Sequence, residues 1–384
     1  MKREIWLDFL RVTACFLVMM VHSTEPFYLG GDGTLVLTSQ DAFWVSVFEG
    51  LARCCVPLFI IASSYLQFPL HYPTGEFLRR RAVRILVPMA IWTLVYALVY
   101  GHPVSNLKGL LLNFNYAAGH LWFVYMLLGV YLVMPLLSPW AEKVSRKELS
   151  IYLGIWAFTL LFPWIREMAG GMAPIIYASD GLPNPAPFPL WGEASWNPFG
   201  LFYYVSGFIG YLLLGLFIKR FVPAYRMTRV MGWTFFLIGF IFTCFGFLEH
   251  ICESGYFPVE GSVELAVHWE SAIAFCGLPV ALTATGLVLV FRAPASHEPG
   301  WFYQNIVLPL STAGYGMYLT HMLILGIVSA WVRTRLGTGS AGLLGPVWTT
   351  PMEILLTAAL SFVASGLIAV YVRRIPRVGK WIIG

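Results

Sequence analysis

Apolar residues gather into ten runs along the chain, near 6–27, 43–68, 83–101, 119–140, 149–167, 199–218, 230–249, 269–291, 306–330 and 351–372. Short polar, glycine- or proline-bearing stretches separate them. A helix crosses a hydrocarbon core with about 20 apolar residues, and these runs have that scale. Lipid offers backbone N–H and C=O groups no partners, so each run is expected to be a helix. The pattern predicts an all-α polytopic integral membrane protein of about ten transmembrane helices. One transmembrane domain is expected over 1–384, with no soluble domain appended. The first run follows Lys2 and Arg3 and has no small-residue cleavage site. It is expected to be a membrane helix and not a removed signal peptide.

Composition and charge sharpen that picture. Hydrophobic residues make up 58% of the 384 and charged residues 11%, against about 25% charged in soluble proteins. A soluble fold is not expected, and intrinsic disorder is excluded. The net charge of +5 is too small to imply a nucleic-acid partner. The placement of the cations is more informative. With both termini cytoplasmic, 18 of the 24 Lys and Arg fall in cytoplasmic segments. Four fall outside (Lys108, Arg166, Arg333 and Arg335), and Arg11 and Arg53 fall within spans. That asymmetry supports ten spans with both ends inside. The six cysteines lie mostly in apolar runs, without C-x-x-C or zinc spacing, and are expected to be inert. The external segments near 168–198 and 250–268 are long enough to act as lids or binding surfaces, or to be plain connections.

The first run carries Asp8, Arg11 and His22. At 100° per residue Arg11 and His22 share a face, about 16 Å apart along the axis. Asp8 is about 60° from Arg11, which makes an Asp8–Arg11 pair natural. Charges at that depth cost several kcal/mol unless paired or wet, so the face should point to a polar cavity or a polar seam between helices. At the cytoplasmic start of the third run, Arg79, Arg80, Arg81 and Arg84 precede Pro88. Arg81 and Arg84, three apart, are expected to point the same way. They suit either a phosphate socket at a helix start or a simple positive-inside anchor. His120 opens the fourth run beside Trp122, and two readings stay open for it, an interfacial side chain and part of a site. His321 lies deep in the ninth run, one turn after Tyr318. No Walker A, G-x-S-x-G, H-E-x-x-H or metal-ligand spacing is present, and no metal is expected.

Taken together, these stretches resemble the acyltransferase family 3 membrane proteins. In size and build the chain looks like bacterial O-acetyltransferases of the enterobacterial-common-antigen type. The resemblance rests on Leu7-Asp8-Phe9-Leu10-Arg11 with His22, on Val56-Pro57-Leu58-Phe59 followed by Ala62-Ser63-Ser64-Tyr65-Leu66, on Arg81-x-x-Arg84, on His120-Leu121-Trp122-Phe123, and on Tyr315-Gly316-Met317-Tyr318-Leu319-Thr320-His321. Ser64 stands where the family usually has Gly. The match is looser between about 150 and 300.

The resemblance implies an acyl-CoA donor, with acetyl-CoA as cosubstrate, on the cytoplasmic side. It also implies a glycan or glycolipid acceptor reached from the other side, in an inner (plasma) membrane. By that analogy Arg81 and Arg84, with Arg80 beside them, hold CoA phosphates, and His22 is the catalytic base. Asp8 and Arg11 belong to the catalytic seam. Tyr318 or His321 orients His22 or stabilises an oxyanion, and His120 and Trp122 meet the acceptor. Direct transfer and an acyl-histidine relay both remain open. A transporter or flippase of an envelope precursor is the alternative, although no inverted repeat or matched pair of broken helices is evident.

Overall fold

The computed structural model describes residues 3–28, 39–101, 118–168, 199–254, 273–292, 299–338 and 341–384, with isolated positions between them. The external segments near 168–198 and 250–268 lie largely outside the described residues. Every regular element among the described residues is helical: α1 Ile5–Tyr28, α2 Ser39–Ala52, α3 Cys55–Gln67, α4 Thr74–Val99, α5 Trp122–Lys143, α6 Arg146–Thr159, α7 Phe162–Met168, α8 Ile209–Phe221, α9 Arg226–Ser254, α10 Leu278–Arg292, α11 Leu308–Leu336, α12 Gly345–Arg373 and α13 Gly379–Ile383. Seven helical segments among them are long and apolar enough to cross a membrane: Ile5–Tyr28, Gln40–Gln67, Thr74–Val99, Gly119–Lys143, Arg226–Glu249, Tyr303–Leu336 and Gly345–Arg373.

The other three expected spans are broken or short, each for a local reason. Near 149–167 the helix stops at Thr159 and restarts at Phe162. Pro163 has no N–H for the carbonyl of Thr159. Near 199–218 a 3-10 turn, Gly200–Val205, meets α8 at Gly207, whose φ of 70° is open to glycine and costly for other residues. Near 269–291 only Leu278–Arg292 is helical among the described residues, an apolar helix of 15 residues.

The apolar windows of α1 and of α2–α3 are 56% and 83% buried, against 28–39% in the other five spans, so these two form the interior. α1 packs against α2, α3, α10, α11 and α12. α9 and α10 approach closely: a side chain on Gly286 would strike the backbone of Phe236 and Gly232. Small residues permit that approach, as is usual between membrane helices.

Prolines shape the interior helices where the polar residues sit. Pro26 has no N–H for the carbonyl of His22, which leaves that carbonyl without its helical partner although α1 runs on to Tyr28. Pro57 does the same for Arg53, and the chain breaks between α2 and α3 at Arg53 and Cys54. A π-turn, Tyr303–Val307, runs directly into α11. Its wide turn absorbs Pro309, whose ring would otherwise crowd the carbonyl of Asn305.

Candidate active site

The polar residues of α1 form one stripe and open onto two cavities. Glu4, Leu7, Asp8 and Arg11 line the first, toward the N-terminal end. Val18, Val21, His22 and Glu25 line the second, toward the other end. The spacings of three and four residues keep all eight on one helix face.

The N-terminal cavity, about 390 Å³, is completed by Tyr65 and Leu66 of α3, Lys219 of α8 and Arg3. It falls in the size range of small-molecule sites. Asp8 does not pair with Arg11 as expected. Its carboxylate accepts from Arg3 Nε at 2.7 Å and from another guanidinium nitrogen of Arg3 at 2.9 Å. It also accepts from the hydroxyls of Tyr303 at 2.7 Å and Ser311 at 2.6 Å. The reason is direction: helical side chains lean toward the N-terminus, which carries Asp8 toward Arg3 and the π-turn. Arg11 stays within electrostatic reach of Asp8, yet no hydrogen bond or ion pair reaches its side chain among the described residues. The cavity therefore holds a half-buried, unpaired guanidinium. Tyr65 is a hub beside it: Trp6 meets it edge-on at 5.0 Å, and Arg292 Nε donates to its hydroxyl at 3.2 Å.

The three arginines expected to form a phosphate socket differ in their surroundings. Arg81 turns inward, bonds the side-chain oxygen of Gln67 and lies 5.5 Å from the ring centre of Tyr131. Tyr131 is also within electrostatic reach of Arg11, so Arg81 and Arg11 approach one region. Arg80 is exposed, paired with Glu76 and set over Tyr72. Arg84 is exposed and, like Arg80, within electrostatic reach of Arg81. Three residues on a helix leave about 60° between side chains, enough for long arginines to find different neighbours.

The second cavity, about 80 Å³, is a different kind of space. At about 10–15 Å³ per water it holds a few waters, or a group of acetyl size. His22 Nδ1 lies 2.7 Å from Glu25 Oε2. With a carboxylate as partner, Nδ1 carries the proton and Nε2 is directed elsewhere. The ring of His321 stands 5.0 Å from that of His22, and the ring of His120 stands 5.1 Å from that of His321. The Tyr318 hydroxyl donates to the carbonyl of His120, and Tyr96 packs on the His120 ring at 4.9 Å. Trp122 also lines the cavity and lies 5.5 Å from Phe275. Arg53 sets its guanidinium 4.7 Å from the centre of the same Phe275 ring, while its Nε donates to the carbonyl of Ile273 at 3.1 Å. Its partner Glu49, also buried, accepts from Thr24 and Tyr28.

The structure thus gathers His22, His120, Trp122 and Tyr318 around one cavity, sets His321 behind that lining against the rings of His22 and His120, and leaves Asp8 and Arg11 at the other cavity. Sequence reasoning missed Glu25, whose signal was its place three residues after His22 on the same face. It gave no role to Tyr65, although that residue lies in a stretch that carries the resemblance, and it missed Lys219, Tyr303 and Ser311, which no local pattern marks. Among the described residues no group of three His, Cys, Asp or Glu side chains could hold a metal ion. The five described cysteines are all free.

No curated protein and no solved structure matches the chain. The family model Acyl_transf_3, an acyltransferase domain, matches residues 4–370, which take in both cavities of α1, and the chain therefore belongs to that acyltransferase family.

Proposed function

We propose that this membrane acyltransferase moves an acetyl group from cytosolic acetyl-CoA to a hydroxyl of an envelope glycan or glycolipid. In this reading it spans the inner membrane ten times with both termini in the cytoplasm, as the lysine and arginine placement favours. The three short or broken segments, α6–α7, the turn before α8 with α8, and α10, complete the count.

One observation carries the reading: a single face of α1 bears an unpaired guanidinium in one cavity and a carboxylate-backed histidine in the other. An unpaired cation in a membrane helix is costly, and an anionic ligand offsets that cost. Arg11, with Lys219 and the nearby Arg81, suits the phosphates of a CoA-type donor, since guanidinium groups hold phosphate through paired donors. Arg80 and Arg84 are left to meet the donor's outer phosphates or the lipid headgroups. From Arg11 to His22 is about 16 Å along the helix, a span for the donor's extended arm. The small second cavity favours acetyl over a long acyl chain. His22, oriented by Glu25, is placed to move protons at the reacting carbonyl. Trp122 and Phe275 offer aromatic faces to the acceptor.

The test is acetyl-CoA binding to the purified, detergent-solubilised protein beside Arg11→Ala and Arg81→Ala. Micromolar binding to the wild type, weakened tenfold or more by Arg11→Ala, is expected. A folded wild type that binds no acetyl-CoA would refute the donor assignment.

A further inference from the structure

His321 is fully buried on α11, and its Nδ1 lies 2.5 Å from the carbonyl oxygen of Tyr318, one turn earlier. A carbonyl only accepts, so Nδ1 carries the proton of the neutral ring and Nε2 carries the lone pair. That Nε2 is buried and has no hydrogen-bond partner. A buried acceptor left unpaired is costly, so it is a place for a donor to arrive. With its Nδ1 proton committed to Tyr318 and no proton on Nε2, neutral His321 has nothing to donate to an oxyanion.

The ring beside it is His22, 5.0 Å away and tilted by 41°. Titratable groups approach this pair from every side. Glu25 holds His22 from α1, and Glu49 and Arg53, from α2 and its junction with α3, lie within electrostatic reach of His22. His120 stands edge-on to His321 ahead of α5. Tyr318 of α11 donates to the His120 carbonyl, and Tyr96 of α4 donates to the carbonyl of Leu319. Among the described residues, two carboxylates thus face one guanidinium, and one further positive charge balances the group.

We infer that His321, through Nε2, is the base for the acceptor hydroxyl, and that His22, as the imidazolium, is the acid for the departing thiolate. The inference rests on the acyltransferase reading above and divides between two rings the work first given to His22. The acceptor O–H bond breaks and its proton moves to His321 Nε2. The acceptor oxygen bonds the acyl carbon. The carbon–sulfur bond breaks, its electron pair goes to sulfur, and sulfur takes the proton from His22 Nε2. One proton leaves the acceptor and one reaches the thiol, so the products are the ester and free CoA. The charge is now on His321, and its proton returns to His22 between the adjacent rings. His321 is then a catalytic residue.

The test compares His321→Asn with wild type. The asparagine amide can still reach the Tyr318 carbonyl from the Nδ1 position, but it has no counterpart of Nε2. Transfer is read as label from radiolabelled acetyl-CoA entering the envelope fraction of cells that carry each variant in place of the original gene. Donor affinity is read on purified protein, and nitrogen NMR of histidine-labelled protein reads the tautomer. We expect His321→Asn to bind acetyl-CoA within about twofold of wild type and to lose at least about 100-fold in transfer. We expect the wild-type His321 signal, identified by its loss in the variant, to show a protonated Nδ1 and a bare Nε2. In His321→Ala, added imidazole should restore part of the transfer. Transfer by His321→Asn within threefold of wild type, or a protonated Nε2 in the neutral ring, overturns the inference and leaves the broader reading standing. A wild type that neither binds acetyl-CoA nor labels the envelope removes both.

Discussion

Removing the carboxylate of Glu25 should slow transfer without touching donor binding. Glu25 Oε2 sits 2.7 Å from His22 Nδ1, a charge-assisted geometry. The two side chains are 21% and 16% exposed, so water screens the pair only in part. A hydrogen bond to a charged group contributes about 1.5–3 kcal/mol. If all of it is expressed as the histidine gains or gives its proton, each ~1.4 kcal/mol is a factor of ten. Glu25→Ala should then lower kcat by about 10- to 150-fold. Glu25→Gln keeps an acceptor for Nδ1 but no charge, and should fall between the variant and wild type. Fourteen residues, about 21 Å of helix, separate Glu25 from Arg11, so acetyl-CoA affinity should stay within about twofold. The assay pairs label incorporation into the envelope with donor binding on purified protein. Glu25→Ala transferring at the wild-type rate, or losing donor affinity while folded, would show that the His22–Glu25 pair does not work as argued.

Arg11→Leu should raise Tm and abolish acetyl-CoA binding together, because it removes an unpaired cation from a membrane helix and the donor's anchor at once. Thermal unfolding followed by binding on the same sample checks both halves. Asp8→Ala should destabilise by at least about 2 kcal/mol, since the buried carboxylate ties Tyr303 and Ser311 to α1. Arg3 is 51% exposed and adds little to that figure. Arg81→Ala should weaken acetyl-CoA binding about tenfold or more, and Arg84→Ala by less than about threefold, as titrations on the two proteins would show. Pro26→Ala returns a donor to the His22 carbonyl; it should raise Tm and slow transfer, and an unchanged rate would mean that the free carbonyl is incidental.

Much of this was legible in the sequence where the information is local. A helix face has a fixed period, so residues 11 and 22 of one run could be placed on one side without any structure. Depth in an apolar run likewise singled out His321. The limits were of two kinds. Partners across the fold leave no local mark: Tyr303 and Ser311 reach Asp8 over about three hundred residues of chain, whereas the nearer Arg11 does not bond it. Hydropathy averaged over about 20 residues also passes over single breaks. It read 149–167 and 199–218 as continuous, and Pro163 and Gly207 interrupt them.

The prolines connect these levels. His22, Arg53, Arg84 and Tyr131 each stand four residues before a proline: Pro26, Pro57, Pro88 and Pro135. In a helix the carbonyl of each would bond the N–H four positions later, and proline has none. Two of the four line or approach the second cavity, and Tyr131 lies near Arg11 and Arg81. Backbone departs from a regular helix inside a membrane protein where it is buried in protein or lines a polar cavity. The freed carbonyls add acceptors there. The break at Arg53 shows the consequence most directly. A continuous α2–α3 helix would hold that residue in a regular turn, whereas the interrupted one sets its guanidinium against Phe275 in the wall of the His22 cavity. The same apolar runs that carry the chain through lipid thus contain, in their prolines, the places where it stops being a plain bundle and becomes a site.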